Sequence, residues 1–168
     1  YTDPPRPRTG DREKARRAFD EALLQHRVNQ LPAAEAGYRQ VLSLDPGFQA
    51  AHLNLAIVLH GQGQLAKSMP RYETALAINP LSQKARQGFA AALNAGRYYI
   101  DAANEYETLL EKFPATTTAQ LVTDRAAAHM ELAGVYANHL KLPGRAKQHY
   151  RAALQLVPNH ASAPAIRD

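Results

Sequence analysis

The stretch "RYETALAINP" at 71–80 places Tyr72, Ala75, Leu76 and Ile78 near one side of a helix, and Asn79-Pro80 stops it. The same ending recurs as "YRQVLSLDP" at 38–46, "YETLLEKFP" at 106–114 and "YRAALQLVP" at 150–158, each with a Tyr eight residues before a Pro. Apolar positions at helical spacing, broken by turn residues at Asn29-Gln30, Gly61-Gln62-Gly63, Gly96 and Pro143-Gly144, predict eight helices. Their expected spans are 12–28, 31–44, 48–61, 65–78, 82–95, 99–113, 118–140 and 143–156. Pro70 conflicts with the fourth, because only a first helical turn accepts Pro freely. A helix start shifted to near Lys67 is favoured there over a kink.

The prolines that close the four endings are Pro46, Pro80, Pro114 and Pro158. The first two intervals are 34 residues and the third is 44, an insertion of ten. A 34-residue period is that of a helix-turn-helix solenoid. The insertion falls in "TTAQLVTDRA" at 117–126 and runs without Gly or Pro into the next repeat. Leu121, Ala128, Leu132, Val135 and His139 share a helical face, so one long helix is expected there, with Thr118 or a neighbour as N-cap. Ten helical residues add ~15 Å. They read either as a neutral insertion or as a docking element.

With repeats set at 15–48, 49–82, 83–116 and 127–160, small residues stand at position 8 (Ala22, Ala56, Ala90, Gly134) and position 20 (Ala34, Ser68, Ala102, Ala146). Position 24 is Tyr38, Tyr72, Tyr106 and Tyr150, and position 27 is Val41, Ala75, Leu109 and Ala153. With Pro at position 32, this pattern resembles the tetratricopeptide repeat (TPR) family over nearly the whole chain. The resemblance implies an all-α, right-handed solenoid of four TPR units, with an arm at 1–14 and a tail at 161–168. The family's large aromatic at position 4 is absent; Ala18, His52, Arg86 and Met130 stand there. Position 7 is apolar in Leu55 and Phe89, but Glu21 departs from it. The physics agrees with the pattern. Small residues let the two helices of a repeat approach, the Tyr fills the space between repeats, and the Pro ends the second helix.

Charge changes the picture at one end only. Residues 1–17 carry Arg6, Arg8, Arg12, Lys14, Arg16 and Arg17 against Asp3, Asp11 and Glu13, a net +3 of the chain's +5. The excess sits in a Pro-containing leader, "YTDPPRPRTG", expected to be extended and poorly ordered unless a partner fixes it. A nucleic-acid binder would spread a basic stripe over the fold, so this distribution argues against nucleic acid. The basic arm (Arg6, Arg8, Arg12, Arg16, Arg17) fits an acidic partner or an anionic membrane surface. The chain contains no Cys, which removes disulfides, thiolate catalysis and Cys-ligated zinc. No apolar run reaches the ~18–20 residues of a membrane span. Membrane association would therefore be peripheral, through a complex. The chain starts at Tyr1, so a removed signal segment is one reading. A periplasmic or membrane-associated complex is favoured over the cytoplasm. The ending "NHASAPAIRD" lacks a polar capping helix, so either a partner covers that end or the chain continues.

Candidate chemistry is sparse. There is no nucleophile elbow, phosphate-binding Gly loop or HExxH signature, and no two of the seven His stand at i, i+4. No cofactor, metal or catalytic residue is expected. The resemblance implies that the first helix of each repeat lines a groove. Position 12 there carries His26, His60, Asn94 and Asn138, a polar ladder that would hydrogen-bond an extended or helical partner segment or simply stay half-exposed. Other groove positions hold Phe19, Leu23, Leu53, Ile57, Lys84, Gln87, Ala91, Glu131 and Val135. Asn54 and Lys84 match two places of the family's carboxylate clamp, but Phe19, Leu23 and Gly88 occupy its other places, which argues against that clamp. The candidate partner-binding residues are therefore His26, Leu53, Asn54, Ile57, His60, Lys84, Gln87, Asn94, Glu131 and Asn138. The expected function is a non-catalytic scaffold or adaptor binding a partner protein through this groove and the 118–140 helix. The alternatives are a permanent subunit of a larger complex and the regulatory end of a longer enzyme.

Overall fold

A computed structural model of the chain describes residues 4–113 and 119–158. Among them are eight helices and no strand: α1 (Arg12–Arg27), α2 (Leu31–Leu44), α3 (Gln49–Gly61), α4 (Leu65–Ile78), α5 (Gln83–Ala95), α6 (Tyr99–Lys112), α7 (Ala119–Gly134) and α8 (Pro143–Leu156). A π-helical turn, Val135–His139, continues α7. The chain is an all-α solenoid. It forms two compact units, the first ending at Ala92 and the second beginning at Leu93, so the border falls inside α5.

In the first unit the repeat positions carry the packing. Ala22, Ala34, Ala56, Ser68 and Ala90 are buried, and so are Tyr38, Tyr72, Val41 and Ala75. A Cβ on Gly37 would stand 2.7 Å from the Ala22 Cβ, so α1 and α2 meet there with no room for a side chain. Gly88 does the same for Tyr72, whose ring lies 2.6 Å from where a Cβ would be. The departure at Glu21 is harmless because that residue is exposed. Phe19 supplies the missing contact by turning inward, stacked on Phe48 at 5.0 Å between ring centres and 5.8 Å from Tyr38.

The absent aromatics at position 4 have a polar replacement in two repeats. Buried His52 donates from Nε2 to the Pro46 carbonyl at 2.9 Å, and Arg86 donates to the Pro80 carbonyl at 3.2 Å. Each ties the start of a repeat to the proline six residues earlier.

Pro70 corrects the sequence expectation. Helix α4 begins at Leu65 and contains the proline rather than starting after it. The amide that Pro70 lacks would have bonded the Ala66 carbonyl, and both residues are exposed, so water can serve that carbonyl. The Pro70 carbonyl accepts the Thr74 hydroxyl at 2.8 Å.

One regularity was hidden in the sequence. Position 15 of every repeat is left-handed: Asn29, Gly63, Arg97 and Lys141 have φ between 56° and 75°. The turn between the paired helices needs it, and the following amide bonds back across the helix end, as in Gln64 N–H to the Leu59 carbonyl at 2.9 Å. Only Gly63 is a glycine. Arg97→Gly should therefore raise stability by about 0.5–1 kcal/mol, read from urea unfolding, because the left-handed penalty on a side chain exceeds the entropy glycine loses. An unchanged or lowered midpoint would contradict this.

In the second unit, Ala102, Tyr106, Leu109, Ala146 and Ala153 are buried, whereas Tyr150 is only half-buried. The insertion is helical from Ala119, where the description of α7 starts, and Thr118 lies outside the described residues. Its added turns are fastened to α6 by Arg125, whose Nη1 donates to the carbonyls of Leu110 (2.8 Å) and Phe113 (2.7 Å) at that helix's C-terminal end. Of the expected apolar face, Ala128, Leu132 and Val135 are buried and Leu121 is half-buried. His139 is exposed, its ring stacked on Tyr99 at 3.8 Å between centres.

Candidate functional site

The candidate groove residues separate into free and engaged groups. In the first unit, Asn54, Ile57 and Gln87 are half-exposed and Lys84 is exposed, on the first helices α3 and α5. Leu53 does not join them. It is buried at 9% exposure and belongs to the packed interior, as does Phe19. Asn54 already donates its amide to the Ala50 carbonyl at 2.9 Å, leaving its carbonyl oxygen for a partner.

Position 12 has a second job. His26 Nδ1 stands 3.1 Å from the Tyr38 hydroxyl, with the rings edge-on. His60 meets Tyr72 edge-on at 6.4 Å, and burial lowers its pKa. Each histidine thus covers the conserved-spacing tyrosine of its own repeat and keeps only part of its surface outward. In the second unit, Asn94 is half-exposed, while Glu131 and Asn138 are exposed. Asn138 lies in the π-turn, and its backbone carbonyl accepts Lys141 Nζ at 2.8 Å. Burial, followed by the nearby Glu131 carboxylate, pushes the Tyr106 hydroxyl's pKa up.

The basic arm is partly spent within the chain. Asp45, fully buried in the turn between α2 and α3, accepts from Gly10 N–H (2.9 Å) and Gly47 N–H (3.0 Å) through Oδ1. Its Oδ2 accepts from Arg12 Nη1 at 2.9 Å. Arg12 also lies over the Phe48 ring, 4.6 Å from its centre. Residues 4–10 form neither helix nor strand, and the chain entering α1 is pinned by this carboxylate at Gly10 and by Asp11 N–H to the Leu44 carbonyl at 2.8 Å. Arg16 and Arg17 pair along α1 with Asp20 and Glu13. Arg6 and Arg8 remain exposed. The sequence missed this because Asp45 reads as a turn residue, and the arm's charge alone cannot show a partner 33 positions away.

A second unforeseen cluster lies in the second unit. His129 on α7 and His149 on α8 bring their Nδ1 atoms to 3.0 Å, and the His149 ring stacks on Tyr136. The Tyr136 hydroxyl donates to Glu107 and accepts from Arg145 Nη1 at 3.2 Å. Burial, then the neighbouring His149 and Arg125, lower the His129 pKa to about 4. No group of three metal-capable ligands exists among the described residues. The lowered histidine carries a sign. The unfolded chain takes up its proton below about 6.5 and the folded chain only near 4, so stability should fall as pH drops from 6.5 to 4 and then lose no more through this group. His129→Gln should flatten that segment of the stability profile; an unchanged slope would contradict the assignment. Beside the cluster, Ile100, Leu140 and Leu142 line a recess of ≈ 310 Å³ with Glu107, Tyr136 and Arg145.

The repeat spacing, the buried tyrosines and the left-handed position common to all four turns point the same way as the family comparison. The tetratricopeptide repeat family matches residues 27–83 and 89–161. The chain belongs to that family. Solved TPR structures share its fold. MamA from Desulfovibrio magneticus RS-1 superposes with a TM-score of 0.76 at 15% identity, over 88% of this chain and 78% of that one. PilF of Pseudomonas aeruginosa gives 0.71 at 20% identity, over 92% of this chain and 64% of PilF. The first TPR domain of Spaghetti (RPAP3), bound to the HSP90 peptide SRMEEVD, gives 0.63 at 21%, over 74% and 98%. No curated protein matches by sequence. TPR proteins are in general interaction scaffolds rather than catalysts, and their partners are proteins. No described helix of this TPR chain is long and apolar enough to cross a membrane.

Proposed function

We infer that the chain is a non-catalytic adaptor that holds a partner protein segment against the first helices of its repeats. The observation that carries this is the mixed surface left on those helices after packing. Asn54, Ile57, Lys84 and Gln87 in the first unit, and Asn94, Glu131 and Asn138 in the second, offer hydrogen-bonding groups beside apolar area. Such a surface suits a peptide backbone with alternating side chains better than a small metabolite.

The carboxylate clamp seen as a resemblance at Asn54 and Lys84 has no room to be completed. Phe19 is packed on Phe48, and Gly88 is held empty by the Tyr72 ring. The partner segment is therefore taken to be held by its backbone and side chains rather than gripped by its terminal carboxylate. The exchange of Asn94 and Asn138 for Ala should weaken partner binding about tenfold, while the melting temperature moves by less than about 2 °C. Titration of the co-purified partner reads the first and a thermal melt the second. Unchanged affinity would move the interface to another surface.

A permanent-subunit reading has its own support. Ile100 and Leu142 are 67% and 43% exposed at the rim of the ≈ 310 Å³ recess, an apolar edge of the kind that stable assemblies cover. Dilution separates the two readings: an adaptor complex dissociates at micromolar protein and a built-in subunit does not.

A further inference from the structure

We propose that the first unit carries a separate site for an acidic segment of a partner polypeptide, in the recess between the second helices α2 and α4. The recess holds ≈ 330 Å³ and is lined by Arg39, Lys67, Arg71 and Thr74 over Leu59 and Pro70. It does not depend on the groove described above, which lies on first helices.

Three cations share this recess, and their partners do not balance them. Arg39 donates to Glu35 from Nε and Nη2, at 3.2 and 2.8 Å. Lys67 donates to the neutral Gln64 side chain at 2.7 Å. Arg71 is half-buried and has neither a hydrogen bond nor an ion pair among the described residues. Its electrostatic neighbours are another cation, Arg39, and the buried His52. Glu35 is thus the single carboxylate tied to this group by a described ion pair.

None of the Arg71 guanidinium nitrogens is buried without a partner, so they stay open to solvent and to a carboxylate that enters the recess. Burial first, and then the Arg39 charge, lower the Arg71 pKa, which is the mark of a cation held against its preference. A bound carboxylate would complete that arrangement. Arg71 and Arg39 offer planar donor forks to a carboxylate, and Lys67 adds a point charge at the rim. Thr74 lines the recess, and its hydroxyl spends its proton on the Pro70 carbonyl, so toward a partner its oxygen can only accept, as from a backbone N–H. Apolar Leu59 and Pro70 also line the recess and would seat the methylenes of a Glu. A polypeptide Glu supplies all three features, whereas a free anion uses only the cations.

The test uses the full chain and a blocked tetra-glutamate peptide, with inorganic phosphate at equal charge as the second arm. In low salt the peptide should bind saturably and raise the melting midpoint by about 3 °C at ten times its dissociation constant. Arg71→Met should melt at or above the wild-type temperature without peptide, since the repulsion from Arg39 is removed. It should also bind the peptide at least tenfold more weakly. Phosphate should shift the wild type less than the peptide does. The site is overturned if the peptide shifts Arg71→Met as much as the wild type, or if neither responds. Phosphate matching the peptide would overturn the polypeptide assignment. Lys67→Met, on the rim, should lose affinity by a smaller factor and guards against a folding artefact in Arg71→Met.

Discussion

Tyr38→Ala should lower the stability of the first unit by about 3–5 kcal/mol, the largest single effect expected in this chain. The ring is fully buried, sits 5.8 Å from Phe19 and meets His26 edge-on. Removing it leaves a cavity bounded by helices whose close approach is already fixed at Gly37 and Ala22, so the walls cannot collapse inward. Burial also pushes the hydroxyl's pKa to about 12, as expected for a phenol inside the fold. Tyr38→Phe isolates the hydroxyl and should cost only about 0.5–1.5 kcal/mol through the lost His26 bond. Tyr150→Ala, at the same repeat position but half-buried, should cost less than half as much as Tyr38→Ala. Urea unfolding followed by far-UV circular dichroism measures all three. Equal losses at Tyr38 and Tyr150 would mean that burial is not what sets the cost.

Asp45→Ala should cost about 2–4 kcal/mol. The carboxylate is fully buried and satisfies two amides and one guanidinium. Truncation leaves the part-buried Gly10 amide and the buried Gly47 amide without their acceptor. A Cβ at Gly10 would already stand 2.1 Å from the Leu44 oxygen. Arg12, by contrast, is mostly exposed and rehydrates, so little of the loss comes from it. Asp45→Asn keeps an acceptor for the amides and should recover about half of the stability. The pH dependence follows from the same contacts. Burial raises the Asp45 pKa, but the Gly10 amide, Arg12 and the Gly47 amide outweigh it and hold the group below its ordinary 3.8. Its contribution is therefore complete above 3.8 and fades as pH falls through the lower folded value. Asp45→Ala should lose that acid limb and release the arm, read as faster amide exchange at Asp11. A loss below about 1 kcal/mol would contradict the account.

Periodicity made most of the architecture legible. Tyr, Pro and small residues recur because every repeat solves the same packing problem, so four copies of one pattern reinforce each other. Helix ends matched the expected spans to about a residue for the same reason, except that α7 gives way at Gly134 to the π-turn. What escaped were features that a period cannot carry. Asp45 finds Arg12 and Gly10 only after α1 and α2 have folded back on each other. Asn29, Arg97 and Lys141 take up a left-handed turn that glycine signals at Gly63 alone, because the helices on either side impose it. Pro70 stays inside α4 because the bond it forfeits faces water, which a propensity rule does not see. The pairing of His129 with His149 joins two helices twenty positions apart, where only i, i+4 spacing had been a guide. The candidate groove was legible as a set of positions but not as a surface. Leu53 turned inward, and the position 12 histidines divide between the tyrosines they cover and the side they leave open.

Amide hydrogen exchange of the chain alone and in its isolated complex tests the central claim most directly. Protection gained along α3, α5 and the stretch from Glu131 to Asn138 is the result expected of an adaptor that holds its partner on the first helices. A complex that forms with full occupancy and leaves those segments exchanging as in the free chain would contradict it.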